Sequence, residues 1–157
     1  MHSGHIYLLI VTCSQRKRSD PGLLPAFERY DGIFFRILRK ALREGHWSDT
    51  LNVLIISAKY GLLELDTVIE NYDLRMTVRQ AKQLQPVVTP LLIKRVTALA
   101  YTEIFLNVGK TYYEAIEGWN IALPHDTTVI YASGGIGRRA QQMRHWLIEK
   151  TTSKKGS

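Results

Sequence analysis

Four segments of this 157-residue chain concentrate the side chains that can do chemistry. The first, Thr12-Cys13-Ser14-Gln15-Arg16-Lys17, offers a thiol, a hydroxyl and an ammonium within five residues. Cys13 there is either a thiolate activated by Arg16, Lys17 and Arg18 or a small apolar residue closing a strand. Ser14 and Lys17 suit ligand contacts. The second, Ser57-Ala58-Lys59-Tyr60-Gly61, places Lys59 where it can hold a phosphate as a point charge or, once desolvated, take a proton. Ser57 and Tyr60 flank it as polar contacts. Glu70 and Asp73, on either side of Tyr72, are the most natural acid–base candidates, although loop carboxylates are often only solvated or capping.

The third segment, Asn107-Val108-Gly109-Lys110-Thr111-Tyr112-Tyr113, adds Lys110 as a further anion contact. The fourth, Ala132-Ser133-Gly134-Gly135-Ile136-Gly137-Arg138-Arg139, resembles an anion cradle. Gly135 and Gly137 allow close backbone approach, the opening helix offers unpaired N–H groups, and Arg138 supplies charge-assisted hydrogen bonds. A tight turn with two solvated arginines is the plain alternative. The spacing matches neither a Walker loop nor a dinucleotide fingerprint. No Cys/His cluster has zinc spacing, so neither a metal nor a cofactor is expected. None of the five histidines is assigned a role.

Each segment follows an apolar run rich in Ile, Val, Leu and Tyr, at residues 6–12, 51–57, 103–108 and 127–131. The runs are nearly continuous rather than alternating, which predicts strands buried on both faces. Helical spacing separates them, over 34–45, from Thr77 to Leu84, over 91–100 after interruption at Pro86 and Pro90, over 110–118, and over 136–150. Strand–helix alternation predicts an α/β fold: a three-layer sandwich with a mainly parallel sheet of about four strands between helices. Ligands of such sheets bind beyond the carboxyl ends of the strands, where all four segments would converge. Residues 1–150 are read as a single domain and 151–157 as a disordered tail.

The chain carries a net charge of +7, with 45% apolar and 22% charged residues. That charge favours acidic partners such as nucleotides or nucleic acid. Arg36, Arg39, Lys40 and Arg43 share one helix face, which could follow a phosphate backbone or be merely solvated. Tyr112, Tyr113 and Trp119 could stack on a base or pack in the core. One cysteine allows no internal disulfide, and no run has the length of a signal peptide or membrane span, so a cytoplasmic protein is expected without a membrane partner.

Several of these residues fall into one pattern: Cys13, Ser14 and Lys17; Tyr30, Phe35 and Arg36; residues 57–62 reading Ser-Ala-Lys-Tyr-Gly-Leu; Glu70, Tyr72 and Asp73; and residues 135–138 reading Gly-Ile-Gly-Arg. In this the chain resembles a family of small bacterial and phage domains of uncharacterised function, some labelled as similar to the YaaA peroxide-stress proteins. Its Cys-Ser-x-x-Lys segment is also similar to that of the archaeosine synthase core domain, which modifies 7-deazaguanine in tRNA. The resemblance implies that Cys13 belongs to the site and that the function concerns a nucleobase or nucleic acid, without fixing the reaction.

The expected function is therefore an enzyme directed at a nucleobase, a nucleotide or nucleic acid, through base modification or N-glycosidic chemistry. Lys17, Lys59 and Arg138 would hold negative charge, and Glu70 or Asp73 would move protons. The alternative is a non-catalytic module that binds nucleic acid or senses a nucleotide. A cysteine redox sensor is disfavoured by the missing resolving thiol. The sequence leaves the oligomeric state open.

Overall fold

The computed structural model describes residues 4–152. In chain order its elements are β1 (Tyr7–Thr12), β2 (Leu24–Pro25), α1 (Ala26–Arg29), α2 (Ile33–Arg43), β3 (Leu51–Ser57), β4 (Gly61–Glu64) and β5 (Val68–Ile69). There follow α3 (Val78–Ala98), β6 (Glu103–Asn107), a 3₁₀ segment (Lys110–Ile116), β7 (Thr128–Tyr131) and α4 (Ile136–Thr152). The main sheet has five strands in the order β4-β3-β1-β6-β7. β3, β1, β6 and β7 are parallel, and β4 runs antiparallel beside β3. β2 and β5 form a separate antiparallel pair.

The apolar runs are continuous because the sheet is covered on both sides. Leu9, Val11, Val53, Ile55 and Phe105 pack with Phe35 and Leu38 of α2 and with Met143 and Leu147 of α4. The alternate residues Leu8, Ile10, Leu54, Ile56, Ile104 and Leu106 pack with Val88 and Leu92 of α3 and with Ala115 and Ile116 of the 3₁₀ segment. The period of two distributes one run over two cores. The mainly parallel α/β sandwich read from the sequence is the architecture present.

Four details differ from the sequence reading. α3 is one helix of 21 residues through Pro86 and Pro90. Both prolines are exposed, while Ala81, Val88, Thr89, Leu92 and Val96 are buried. The carbonyls that lose partners thus lie toward water, which satisfies them, and packing of the opposite face outweighs the local penalty.

The Ser57-Ala58-Lys59-Tyr60-Gly61 segment is a tight turn into the antiparallel edge strand β4 rather than a loop to a helix, with Ser57 paired to Gly61 across it. Gly61 has φ +77, which a side-chain-bearing residue rarely adopts, and an added Cβ would approach Val88 Cγ2 at 3.2 Å. α4 extends to Thr152, and buried Thr151 donates to the Leu147 carbonyl at 2.8 Å, so the expected tail does not begin at 151. Residues 153–157 of that tail lie outside the described residues. Trp119 is only 4% exposed and packs in the core, which removes it from stacking on a ligand.

The basic face of α2 is not an open stripe. Arg39 donates to the carbonyls of Phe27 and Tyr30 at 2.9 and 3.0 Å and to Asp31 at 2.6 Å. Arg36 also bonds Asp31, and this contact chiefly holds the Asp31 carboxyl below the usual carboxylate range. Lys40 pairs with Glu44.

Candidate functional site

Strand register brings the chemical segments to one edge. Thr12 lies beside Ile56, Val11 beside Asn107, and Leu106 beside Tyr131, so Cys13, Ala58, Val108 and Ala132 emerge together. The chain leaving β1 turns to α2 on one face, whereas the chain leaving β6 turns to the 3₁₀ segment on the other. Neighbouring strands whose exits diverge open a crevice, the usual ligand position in an open α/β sheet. A cleft of about 220 Å³ lies there. Cys13, Ser14 and Gln15 line it from β1 and Thr111 and Tyr112 from β6, with Leu74, Arg75 and Met76 completing the wall.

The loop after β1 is fixed by polar contacts rather than by packing. Ser14 Oγ accepts from Gly32 N at 3.2 Å and donates to the Arg16 carbonyl at 2.7 Å. A Cβ on Gly32 would fall 2.6 Å from Ser14 Cβ, so this approach requires glycine. Arg29 is wholly buried and donates to the carbonyls of Arg18, Asp20 and Gly22 at 2.7, 3.0 and 2.6 Å. A buried guanidinium shared among carbonyls ties down a loop with no regular structure of its own.

Beside the cleft stands a cluster of hydroxyls. Tyr30 donates to Ser57 Oγ at 3.1 Å, and Tyr72 lies 3.1 Å from Ser57 Oγ and 2.6 Å from the Tyr30 hydroxyl. Lys59 N and Tyr60 N also donate to Ser57 Oγ, at 3.2 and 3.0 Å. Cys13 Sγ accepts from Ala58 N at 3.4 Å and lies 3.3 Å from the Tyr112 hydroxyl. Burial, and secondarily the charge of an ionised Cys13, pushes Tyr30, Tyr72 and Tyr112 well above the usual tyrosine range. These phenols therefore act as neutral hydrogen-bonding groups, not as bases.

Two lysines flank the Tyr72 ring. Lys17 Nζ sits 4.3 Å from its centroid and donates to the Gln15 carbonyl at 3.2 Å, while Lys59 Nζ sits 5.7 Å from it. Burial pulls Lys17 below the usual lysine value, against the opposing charges of Cys13 and Asp73.

Cys13, Lys17, Ser57 and Tyr72 are thus brought together, with Tyr60 packed edge-on to Tyr72 and Lys59 exposed at the margin. Ser14 lines the cleft while holding its own loop. Glu70 and Asp73 are both exposed. Lys110 belongs to a second cleft, of about 210 Å³, shared with Gly109, Tyr113, Ser133, Gly134 and Arg139.

Gly135, Gly137 and Arg138 are exposed and outside the lining of both clefts. Arg138 folds back over the turn, where a Cβ on Gly134 would meet its Cδ at 2.7 Å. The single crevice expected to hold Cys13 and Arg138 is instead two clefts flanking the stretch from Gly109 to Tyr113, and Arg139 takes the place expected for Arg138.

Sequence reasoning missed Tyr30 as a site residue and gave Tyr112 only a stacking role, because their partners lie 27 and 99 residues away. Asn107 carried a usable signal: an amide ending an apolar run calls for a partner, and Arg139 supplies it at 3.0 Å. Among the described residues no group of three or more His, Cys, Asp or Glu side chains could hold a metal ion, and no helix is long and apolar enough to cross a membrane.

A model described as a family of unknown function, DUF6884, matches residues 8–145. The chain belongs to the DUF6884 family. No curated protein matches it. The DUF6884 chain is similar in fold to the crystal structure of AF0587, a protein of unknown function, with TM-score 0.50 and 14% identity. The alignment covers 90% of this chain and 44% of that one, so the DUF6884 chain spans less than half of AF0587.

Proposed function

We propose that this chain is an enzyme that holds a nucleobase or nucleotide in the cleft between the ends of β1 and β6 and acts on it by base modification or N-glycosidic chemistry. The observation that carries the reading is the composition of that cleft at the point where the two strand exits diverge. Leu74, Met76 and Tyr112 offer apolar surface to a flat ring, and Ser14, Gln15, Arg75 and Thr111 offer donors and acceptors to its edge. At about 220 Å³ the cleft is smaller than the ~300–1,000 Å³ usual for larger organic ligands, which favours one ring system over a dinucleotide.

In this reading Lys17 and Lys59 hold negative charge near Tyr72. Cys13, which lines the cleft, serves as the nucleophile. Asp73, whose charge reaches Lys17, is the better-placed carboxylate for proton transfer. The similarity of the Cys13-Ser14-x-x-Lys17 segment to the archaeosine synthase core domain, and of the wider pattern to YaaA-labelled proteins, supports a nucleobase as the ligand.

A binding module without turnover is the second reading. It is favoured by the groups around Cys13, since the sulfur touches a neutral phenol and a backbone N–H and has no histidine or carboxylate hydrogen-bonded to it among the described residues.

Melting temperatures measured across free bases, nucleosides and nucleotides test the proposal, because a ligand that binds only the folded chain raises the transition. The expected result is selective stabilisation by one base class, lost in Lys17→Met, with conversion of that ligand seen by chromatography and abolished in Cys13→Ala. Stabilisation without conversion supports the binding module. No stabilisation by any base or nucleotide contradicts both.

A further inference from the structure

We infer that the second cleft, between the ends of β6 and β7, is a phosphate subsite built around Arg139. Arg139 is partly buried, its NH1 donates to Asn107 Oδ1 at 3.0 Å, and its guanidinium lies 5.4 Å from the centroid of the Phe34 ring. Asn107 is completely buried and engages Met143 Sδ through its Nδ2, so the amide is oriented and presents its oxygen to the arginine. Among the described residues the side-chain partners of this cation, Asn107 and Phe34, are neutral. Among the described residues no carboxylate pairs with it, in contrast to Arg16, Arg36 and Arg39, which converge on Asp31.

A guanidinium partly removed from water has lost hydration that neutral groups return only in part. Burial accordingly disfavours its charged form. An anion in the adjoining cleft would supply the missing charge through the fork geometry that arginine presents to phosphate oxygens. Gly109 borders the guanidinium, since a Cβ there would lie 3.7 Å from Arg139 NH2, an ordinary contact distance. Lys110 and the Ser133 hydroxyl line the same cleft and add a second cation and a neutral donor. The cleft volume of about 210 Å³ admits a phosphate group.

The stretch from Gly109 to Tyr113 is shared, because Gly109, Lys110 and Tyr113 line this cleft and Thr111 and Tyr112 line the base cleft. The phosphate could belong to a mononucleotide or to a diester of a longer strand, and both present the same oxygens. The subsite itself does not depend on the base reading. Only the assignment of both clefts to one ligand rests on it.

The test is calorimetric titration of the full chain with inorganic phosphate, a nucleoside, its 5′-monophosphate and a short single-stranded oligonucleotide. The wild-type chain is expected to bind phosphate and both phosphorylated probes. Arg139→Gln should weaken all three by about tenfold or more, and Lys110→Met, on an exposed side chain, by about twofold to tenfold. Nucleoside binding should be unchanged in both variants.

A monophosphate that binds more tightly than phosphate and nucleoside supports one ligand spanning the clefts. Preference for the oligonucleotide supports a diester. Phosphate binding without nucleoside binding keeps the subsite and removes the base reading. Because Arg139→Gln could disturb packing on Phe34, Lys110→Met is the independent control. Phosphate affinity unchanged in both variants, or no phosphate or phosphorylated-probe binding by the wild type, overturns the inference.

Discussion

The hydroxyls of Tyr30 and Tyr72 lie 2.6 Å apart although 42 residues separate them. Each hydroxyl has one proton to donate. Tyr30 gives its proton to Ser57, so Tyr72 must donate to Tyr30, and Ser57 in turn can donate to Tyr72. The three form a closed ring that joins the α1–α2 junction, the end of β3 and the segment after β5. Tyr72, so fixed, is the ring that Lys17 and Lys59 flank.

A ring of this kind couples its members. Tyr30→Phe and Tyr72→Phe should each cost about 1–3 kcal/mol in urea denaturation, because each leaves a buried polar partner unsatisfied. The double variant should cost less than the sum by at least about 0.5 kcal/mol. Strict additivity would show that the hydroxyls act separately.

Alkaline stability follows from the raised Tyr30, Tyr72 and Tyr112. Below about pH 10 these tyrosines are protonated in both folded and unfolded chains. Above it the unfolded chain ionises first and binds fewer protons than the folded one, so stability falls as pH climbs toward the folded values. Denaturation midpoints should decline steeply above about pH 10, and Tyr112→Phe should reduce the slope.

Arg39 and Lys40 are neighbours with different roles. Arg39→Met removes bonds to two carbonyls and to Asp31 and should cost about 1.5–3 kcal/mol. Lys40→Met should stay within about 0.5 kcal/mol of wild type. Equal effects in chemical denaturation would mean that Arg39 belongs to a solvated basic face after all.

Lys17 and Lys59 should separate in the same way with respect to ligand. Lys17→Met keeps the apolar stem beside Tyr72 and removes a cation that burial disfavours, so its melting temperature should be no lower than wild type. Ligand affinity should fall by about tenfold or more. Lys59→Met, at the exposed margin, should fall by a smaller factor. A larger loss at Lys59 would move the ligand to the far side of Tyr72.

The parallel strands were legible because a strand buried on both faces writes itself as a continuous apolar run, as residues 53–56 do within β3. Their common exit edge followed from the alternation with helices. The continuity of α3 was not legible, since Pro86 and Pro90 break a helix by local rules and only the packing of Val88, Leu92 and Val96 overrides them. β4 was hidden by its brevity and by a turn that resembles a loop.

The proximity of Cys13, Lys17, Ser57 and Tyr72 was legible from their being polar residues at or near strand ends. The split into two clefts was not. Whether Arg138 or Arg139 faces inward depends on where α4 begins, and the decisive partner of Arg139 is Asn107, 32 positions earlier.

Binding of a base where β1 and β6 diverge is read out by amide chemical shifts recorded during titration with the best-stabilising base or nucleotide. Shifts should be confined to residues 13–17, 57–60, 72–76 and 109–113 and saturate together. Shifts concentrated on the basic face of α2, or none beyond those given by sodium chloride, would rule out a base at this position.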